Sequence, residues 1–313
     1  MVTASDITLP ENKAPRVTVF TPAYNREKLL GRVFESLQAQ SSRDFEWLVV
    51  DDGSSDGTRE LIESWIEKAD FPIRYIWKEN GGKHTALNRG IAEASGEFFL
   101  VVDSDDWLLP NGIETLLGEW EKIEFSQGYV GVCGLFEYPD GKLVGTEFPE
   151  ERFRSNAIEL RLCHRVKGDK IALNRLEILR KFPFPEDLSH TMLPESVVWN
   201  RIAQDYDTLF VNRRIAVKEY QEGGLTDGSI LNSFRNPLAY RTKAIELLNG
   251  RREIGASETA RAALAVAKCS LRSGSSPWAV DSLGHKILVT LALPFGGLLL
   301  FRDSLRSRAI KKA

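Results

Sequence analysis

The sequence contains little cysteine, methionine or histidine: three, two and four residues out of 313. The cysteines stand far apart, at Cys133, Cys163 and Cys269, and no C-x-x-C pair occurs, which argues against a disulfide framework and a zinc knuckle. The first sixteen residues are polar and lack the apolar core of a signal peptide. We therefore expect reduced thiols and a cytoplasmic location.

The chain also has no large net charge, but its charges are unevenly distributed. The net charge is −3, whereas residues 241–313 hold 13 Lys/Arg against 5 Asp/Glu, a balance of +8 that leaves −11 for residues 1–240. An acidic body with a basic tail argues against general nucleic-acid binding and predicts an anionic partner for the tail. Apolar residues make up 42% of the chain and charged residues 27%, which is typical of a folded globular protein.

Short apolar runs alternate with helical patterns over the first 110 residues. The helical patterns place apolar residues at the i, i+3, i+4 spacing of an amphipathic helix, and the runs between them are almost continuously apolar. This alternation predicts an α/β fold with a mostly parallel sheet flanked by helices on both faces. We expect strands at 16–20, 45–50, 73–77 and 97–102 and helices at 27–40, 58–68 and 83–94.

Beyond residue 110 the pattern is weaker. We expect strands at 129–138 and 208–211, a helix at 193–204 and two helices within 239–272. The length of the chain suits one large α/β domain with a C-terminal appendage, or two smaller domains.

Three polar clusters follow predicted strands, at 21–26 (TPAYNR), 51–54 (DDGS) and 103–106 (DSDD). In open α/β sheets, ligands bind beyond the carboxyl ends of the strands. One acidic turn after a strand is usually only a loop with favourable turn residues. Five carboxylates on one edge repel one another, however, and need a cation or hydrogen-bond donors. The three clusters together predict a ligand site.

Asp103 and Asp105 form a D-x-D motif directly after an apolar strand. Carboxylates are ligands that Mg²⁺ or Mn²⁺ accepts, and such an ion can bridge phosphate oxygens. D-x-D pairs also occur by chance, but this pair precedes Trp107 and Pro110, which makes the context more specific.

Other residues near these clusters suit a nucleotide. Tyr24 offers a flat face on which a base can stack. Arg26 belongs to the same cluster and offers a cation for the phosphates of that nucleotide. Asp52 can accept hydrogen bonds from a uracil N–H or a ribose hydroxyl. Lys83 follows two glycines at the start of a predicted helix, where it can meet a diphosphate, although an ordinary solvated lysine is the alternative.

Four separated blocks resemble one family in order, the family 2 glycosyltransferases. The blocks are TPAYNR at 21–26, VVDDGSSDGT at 49–58, NGGKHTALNRGIAEASGEF at 80–98 and VVDSDDWLLP at 101–110. The resemblance implies the GT-A fold, an inverting mechanism, a nucleoside-diphosphate sugar donor and Mn²⁺ or Mg²⁺ as cofactor. It also implies a donor site formed by Thr21, Pro22, Tyr24, Arg26, Asp52, Lys83, Asp103 and Ser104, and metal ligands at Asp103 and Asp105.

The resemblance assigns the catalytic base to Glu195. In this family the base is a carboxylate that follows the D-x-D, and residues 194–199 (PESVVW) are similar to a subgroup pattern P-E-x-x-x-W. A single Glu replaces the acidic pair of many relatives, so Glu195 has no close substitute. The alternative interpretation is a charge favoured by the dipole at a helix N-terminus.

Two further segments resemble parts of the family site, and one expected ligand is missing. Residues 219–226 are similar to the late active-site loop, and residues 168–170 suit the donor sugar or a plain turn. Some relatives place a late histidine on the metal. That position is not clearly matched by His84, His164, His190 or His285.

The implied activity is transfer of a sugar from a nucleoside-diphosphate sugar, which we expect to be a UDP-sugar, to a hydroxyl of a glycan or lipid-linked acceptor in cell-envelope polysaccharide or glycolipid synthesis. We expect the catalytic domain at 14–235, with a nucleotide-binding half at 14–120 and an acceptor half at 121–235. A nicotinamide-dependent oxidoreductase is disfavoured because residues 21–26 lack G-x-G-x-x-G. A phosphoryl-receiver domain would need far fewer residues, and a non-catalytic sugar-binding protein of the same fold stays an alternative.

Residues 236–313 are expected to form a helical appendage with an apolar segment at 287–301. The segment is uncharged but shorter than the roughly 20 residues that span a membrane, and we expect Pro294 and the following glycines to break a helix there. Its flanks are basic, with Lys286 before it and Arg302, Arg306, Arg308, Lys311 and Lys312 after it. This pattern predicts a segment at the cytoplasmic membrane surface, and packing against the fold or a second subunit is the alternative.

Overall fold

The computed structural model describes residues 14–187, 193–220 and 229–310, and within these ranges nine strands form one sheet flanked by helices. The strands are β1 Val17–Ala23, β2 Phe45–Asp51, β3 Ile73–Trp77, β4 Phe98–Val101, β5 Asp106–Leu108, β6 Tyr129–Glu137, β7 Arg152–Ser155, β8 Lys170–Arg175 and β9 Asp207–Lys218. The helices are α1 Leu30–Gln38, α2 Thr58–Ile66, α3 Lys83–Glu93, α4 Gly112–Glu121, α5 Ala157–Leu162, α6 Leu176–Leu179, α7 Ser196–Ile202, α8 Ser229–Arg235, α9 Pro237–Leu248, α10 Ala256–Ser273 and α11 Leu283–Ile310.

The N-terminal half of the sheet is parallel, with strand order β3-β2-β1-β4. Every residue of β2 is buried, as are all but one of β1, which explains why both strands are mostly apolar. Separate apolar clusters cover the two faces, one including α1, α2 and α4 and the other α3, α6 and α7. The predicted α/β fold with a helix-covered parallel sheet is confirmed.

The C-terminal half of the sheet is mixed. β8 pairs antiparallel with β4, and the order continues as β8-β6-β9-β5, with β7 beside β9. β9 is longer than the strand predicted at 208–211, because its exposed middle at 213–214 is followed by a second buried run. This arrangement brings the end of β9 beside β5, directly after the D-x-D motif.

The C-terminal helices α9, α10 and α11 share an apolar cluster of their own, which includes Ala263, Val266 and Val289. The two helices predicted within 239–272 are confirmed as α9 and α10. The predicted break at Pro294 is wrong, because α11 continues through it. Proline removes one backbone hydrogen bond from a helix. Val289, before Pro294, packs in the apolar cluster, and Gly296, after it, lies against Lys268 of α10, so both halves of α11 are held by packing. Residues 283–305 are long and apolar enough to cross a membrane, judged by length and composition alone.

Candidate active site

The polar clusters predicted at strand ends lie together at the carboxyl edge of the parallel strands. The loops after β1, β2 and β4 are adjacent because these strands are neighbours in the sheet. The turn after β2 needs Gly53, whose φ of +86° suits glycine. A Cβ at this position would lie 2.9 Å from the backbone nitrogen of Asn80, so the turn packs directly against the loop before α3.

The buried carboxylate of Asp52 organises that loop. Its Oδ1 accepts hydrogen bonds from the backbone N–H of Gly81 at 2.9 Å and from Lys78 Nζ at 2.6 Å, and its Oδ2 accepts from the N–H of Gly82 at 2.7 Å. Lys78 was not predicted as a site residue, although it directly follows β3 at the same edge of the sheet. Asp52 therefore fixes the backbone at the start of α3.

Lys83, the first residue of α3, joins the D-x-D motif to Glu195. Its Nζ lies 2.6 Å from Asp103 Oδ1 and 2.7 Å from Glu195 Oε1. Burial opposes the charge of the ammonium, but the two carboxylates outweigh burial and raise the pKa of Lys83 above its ordinary value. Burial likewise opposes ionisation of Asp103, but Lys83 and Lys218 lower the pKa of this carboxyl. Lys83 is thus an ion-paired lysine rather than a solvated one.

Three carboxylates after β4 form an acidic cluster that could hold a metal ion. The ligand atoms of Asp103, Asp105 and Asp106 all lie within 4.8 Å of one another. Asp106 Oδ1 is buried and has no hydrogen-bond partner among the described residues. This buried oxygen has no hydrogen-bond donor, and two further carboxylates lie beside it. Such an environment suits a hard divalent cation.

Asp106 is also paired with Lys218, a contact that the sequence did not predict. Lys218 ends β9, opposite Asp106 in the antiparallel pairing with β5, and its Nζ lies 3.0 Å from Asp106 Oδ2. Burial raises the pKa of Asp106 to about 7, and the pull of Lys218 in the other direction offsets this only in part. Lys218 also lies 3.5 Å from Asp169 Oδ2, so one ammonium connects the acidic cluster to the residue that precedes β8.

The first predicted cluster divides between the core and the surface. The side chain of Thr21 is buried, and its Oγ1 accepts a hydrogen bond from Trp47 Nε1 at 3.0 Å, so it faces away from the site. Pro22 is the one partly exposed residue of β1. Tyr24 is 48% exposed and thus free to stack on a ligand. Arg26 Nε donates to Ser104 Oγ at 3.0 Å, which ties the loop after β1 to the D-x-D loop.

The later predicted segments are only partly described. Asp169 of segment 168–170 meets Tyr220 of segment 219–226, since Tyr220 Oη donates to Asp169 Oδ2 at 3.2 Å. Residues 221–226 and His190 lie outside the described residues. The acidic residues that precede Glu195 most closely in the sequence are Glu186 and Asp187. Glu186 accepts an exposed hydrogen bond from Asn88 Nδ2 of α3 at 2.7 Å. Among the described carboxylates, Lys83 Nζ bonds only Asp103 and Glu195 within ion-pair distance.

The geometry agrees with a comparison of this sequence with known protein families. The model of glycosyl transferase family 2 matches residues 18–180, just over half of the chain. The chain belongs to glycosyl transferase family 2. Its predicted class, an enzyme that transfers a sugar, is thereby confirmed. A curated relative from Campylobacter jejuni, GalNAc(5)-diNAcBac-PP-undecaprenol beta-1,3-glucosyltransferase, is 27% identical over 234 residues, which are 72% of each chain.

Solved structures share the fold. S. aureus TarS in complex with UDP gives a TM-score of 0.63 at 20% identity and covers 92% of this chain and 88% of that one. The chain spans 44% of a longer TarS structure. A mannosyltransferase from Pyrobaculum calidifontis with GDP-Man and Mn²⁺ gives 0.56 at 18% identity, over 98% and 89% of the two chains. The predicted GT-A fold is confirmed by these likenesses.

Proposed function

We propose that this family 2 member is an inverting glycosyltransferase that moves a sugar from a nucleoside diphosphate, UDP in our expectation, to an acceptor hydroxyl. The observation that carries the proposal is the bridge Asp103–Lys83–Glu195, in which a candidate base and the D-x-D motif meet on one ammonium. A base must lie beside the diphosphate site, because the attacked carbon is bonded to that diphosphate.

The donor assignment is supported by the ligands of the structural neighbours. TarS has been solved with UDP and with UDP-GlcNAc. In this chain Tyr24 is exposed for stacking on a base, and Asp52 lies at the floor of the same loop cluster. Both features suit a uridine nucleotide.

The residues present also fit the metal that the D-x-D motif implies. Mn²⁺ or Mg²⁺ would be held by Asp103 and Asp105, with the unpartnered Oδ1 of buried Asp106 facing the same cluster. Two neighbours carry Mn²⁺ in their complexes. When bound, such an ion neutralises charge on the diphosphate.

The chain's own residues supply the remaining steps. Glu195 accepts the proton of the acceptor hydroxyl, whose oxygen attacks the anomeric carbon on the face opposite the leaving diphosphate. Lys83 pairs with Glu195 at 2.7 Å and has a hydrogen to donate to a phosphate oxygen. Arg26, fixed by Ser104, adds a second cation at the same edge of the sheet.

We assign the acceptor to the glycan or lipid-linked class and the enzyme to the cytoplasmic face of the membrane. The name of the Campylobacter jejuni relative specifies a glycan linked through PP to undecaprenol, a lipid. In this chain, α11 exposes a large apolar surface and ends in a basic segment. A peripheral enzyme would meet both a soluble donor and a lipid-linked acceptor at one surface.

The proposal is tested by a screen of UDP-, GDP- and dTDP-sugars for release of the free nucleotide, with Mn²⁺, with Mg²⁺ and with a chelator. We expect release from one UDP-sugar, increased by an acceptor and abolished by the chelator. Inversion is checked by the anomeric configuration of the product. Tight nucleotide binding without turnover for any donor and acceptor would instead favour a non-catalytic sugar-nucleotide-binding protein.

A further inference from the structure

The last helix exposes one continuous apolar face. The outer stripe consists of large apolar side chains that follow one another at intervals of three or four residues, each between 50% and 74% exposed. At these intervals the side chains fall on one side of a helix. The members of the stripe are Leu283, Ile287, Leu291, Phe295, Leu298, Phe301 and Leu305.

The opposite face of α11 is fixed to α10. Val289, Gly296 and Asp303 are buried and seven residues apart, which places them on the face away from the outer stripe. A Cβ at Gly296 would lie 2.9 Å from the backbone nitrogen of Lys268, so the two helices are in close contact. Lys268 Nζ also pairs with Asp303 Oδ2 at 3.1 Å. The helix therefore lies along α10 with its stripe outward.

This attachment argues against a helix that crosses the membrane. A spanning α11 would draw α10 into the hydrocarbon, or else expose Gly296 and the carboxylate of Asp303 to lipid. α10 has exposed charge, since the side chain of Arg261 is 74% exposed and is paired with Glu258. Charged groups within the bilayer core are strongly unfavourable. A helix parallel to the membrane plane buries only the stripe and keeps α10 in water.

The charge of this region favours a lipid surface over a second copy of the chain. Residues 241–313 carry a balance of +8. Arg302 is half-exposed beside the stripe, and four more basic residues lie between 306 and 312 in the sequence. Two such surfaces repel each other, whereas anionic lipid headgroups attract both the basic residues and the neighbouring apolar face.

The border of the stripe has the side chains expected at a membrane interface. Trp278 is 53% exposed, and its Nε1 donates to Thr290 Oγ1 at 3.1 Å, so the ring is held against α11. Leu271 of α10 is 47% exposed and lies beside Gly297. Tryptophan is enriched where apolar and polar layers of a bilayer meet.

We propose that the outer stripe of α11, with Trp278 and Leu271 at its border, inserts into an anionic leaflet with the helix axis parallel to the membrane. Only the role of this membrane contact rests on the proposed function: the contact would hold the catalytic domain at the surface where a lipid-linked acceptor lies. The contact itself depends on the helix and can be tested apart from catalysis.

The first test is flotation of the full chain with vesicles that contain phosphatidylglycerol and with vesicles of pure phosphatidylcholine. We expect stronger binding to the anionic vesicles. The variant Leu291→Ser, Phe295→Ser, Leu298→Ser should lower the partition coefficient by about tenfold or more, since three exposed apolar side chains no longer enter the lipid. Phe125→Ser is the matched control, because Phe125 is 84% exposed and lies outside α11. Equal flotation of the triple variant and the wild type overturns the proposal.

The second test separates an in-plane helix from a spanning one. Cysteines are introduced at two positions, one before and one after α11 in the sequence, by Ser282→Cys and, separately, Ala313→Cys, in a Cys163→Ser background. With protein bound from outside, a membrane-impermeant maleimide should label both positions on intact vesicles. Protection of either position until detergent is added overturns the in-plane arrangement.

The remaining measurements separate this proposal from the proposed function. Nucleotide release from the donor in solution should be unchanged in the triple variant, because none of the three substituted residues belongs to the candidate active site. If the triple variant no longer floats but still releases nucleotide, the membrane proposal is supported. If the wild-type protein floats but releases no nucleotide from any donor, the proposed function is wrong and the membrane proposal still holds. If light scattering finds a lipid-free dimer that the triple variant abolishes, the stripe belongs to a second copy and the lipid assignment is overturned.

Discussion

Asp103 and Glu195 share one ammonium group, that of Lys83, which lies 2.6 Å from the first carboxylate and 2.7 Å from the second. Without this cation, two carboxylates would face each other at the centre of the site. A bound donor brings further negative charge to the same place, so Lys83 can remain ionised and share its hydrogens with a phosphate. The ammonium therefore balances the charge of the site in the free protein and of the diphosphate in the complex.

Replacing Lys83 should affect turnover and metal binding in opposite directions. We expect Lys83→Met to lower kcat by about 10²–10³, the usual cost of removing one donor from developing charge. Calorimetry should find tighter binding of Mn²⁺ alone, because Asp103 loses its competing cation. Lys83→Arg should keep part of the activity. Lys122→Met, which removes an exposed lysine paired with Glu119, is the control and should change neither quantity. Wild-type turnover in Lys83→Met would contradict the assignment.

The second prediction concerns the metal. Asp105→Asn removes one carboxylate of the acidic cluster and should abolish turnover and the Mn²⁺-dependent part of UDP binding. The measurement is UDP affinity with and without Mn²⁺. Asp140→Asn, in an exposed turn where Asp140 pairs with Lys142, is the control. If Mn²⁺ strengthens UDP binding equally in Asp105→Asn and the wild type, Asp105 is not a ligand.

The parallel half of the fold could be predicted because β1, β2 and β4 are almost entirely buried and therefore have mostly apolar sequences. β7 and β8 were not predicted, because they are short and contain charged residues such as Arg152 and Lys170. The Asp106–Lys218 pair joins residues 112 positions apart, a separation at which no local pattern operates. The break expected at Pro294 followed a local rule that packing against α10 overrides.

The sequence predicted that the site lies at the carboxyl ends of the parallel strands, but it did not predict the contacts between individual side chains. Asp103, Asp105 and Lys83 were selected by their place after a strand or at a helix start, and in the structure Asp103 lies beside both Asp105 and Lys83, although the contact with Lys83 was not predicted. Thr21 was chosen through the family resemblance alone, and its orientation toward Trp47 depends on the alternation along β1. Lys78 could have been found by the rule applied to Asp52, since it follows the adjacent strand.

The third prediction separates the two residues assigned to the nucleotide. Tyr24→Ala should raise the dissociation constant of UDP without changing the melting temperature, because the ring is half-exposed. Asp52→Ala should raise the same constant and also lower the free energy of unfolding, by about 2 kcal/mol or more, since the N–H groups of Gly81 and Gly82 lose their acceptor. GDP or dTDP binding more tightly than UDP would overturn the uracil interpretation and leave the fold unaffected.

The fourth prediction concerns the thiols. Cys163 is exposed, whereas Cys133 and Cys269 are buried, and burial raises the pKa of Cys133 to about 12. Because the thiolate is the reactive form, a higher pKa leaves less of it at pH 8. Intact-mass analysis of the folded protein after brief alkylation should therefore find one label, and three after denaturation. Cys163→Ser should remove the native label, and rapid labelling of Cys133 in the folded protein would contradict its buried position.

The last prediction concerns the base. Glu195→Gln keeps the shape and the hydrogen-bonding reach of the side chain but removes the proton acceptor, so transfer should fall by about 10²–10⁴. Donor binding should survive, because Lys83 still has Asp103 as its partner. Glu186→Gln is the matched control, since Glu186 bonds Asn88 on the outer side of α3. The measurements are the rate of transfer and the affinity for UDP in each variant. If transfer persists in Glu195→Gln and falls in Glu186→Gln or Asp187→Asn, the base lies in the segment before residue 188, and Glu195 is a partner of Lys83 only.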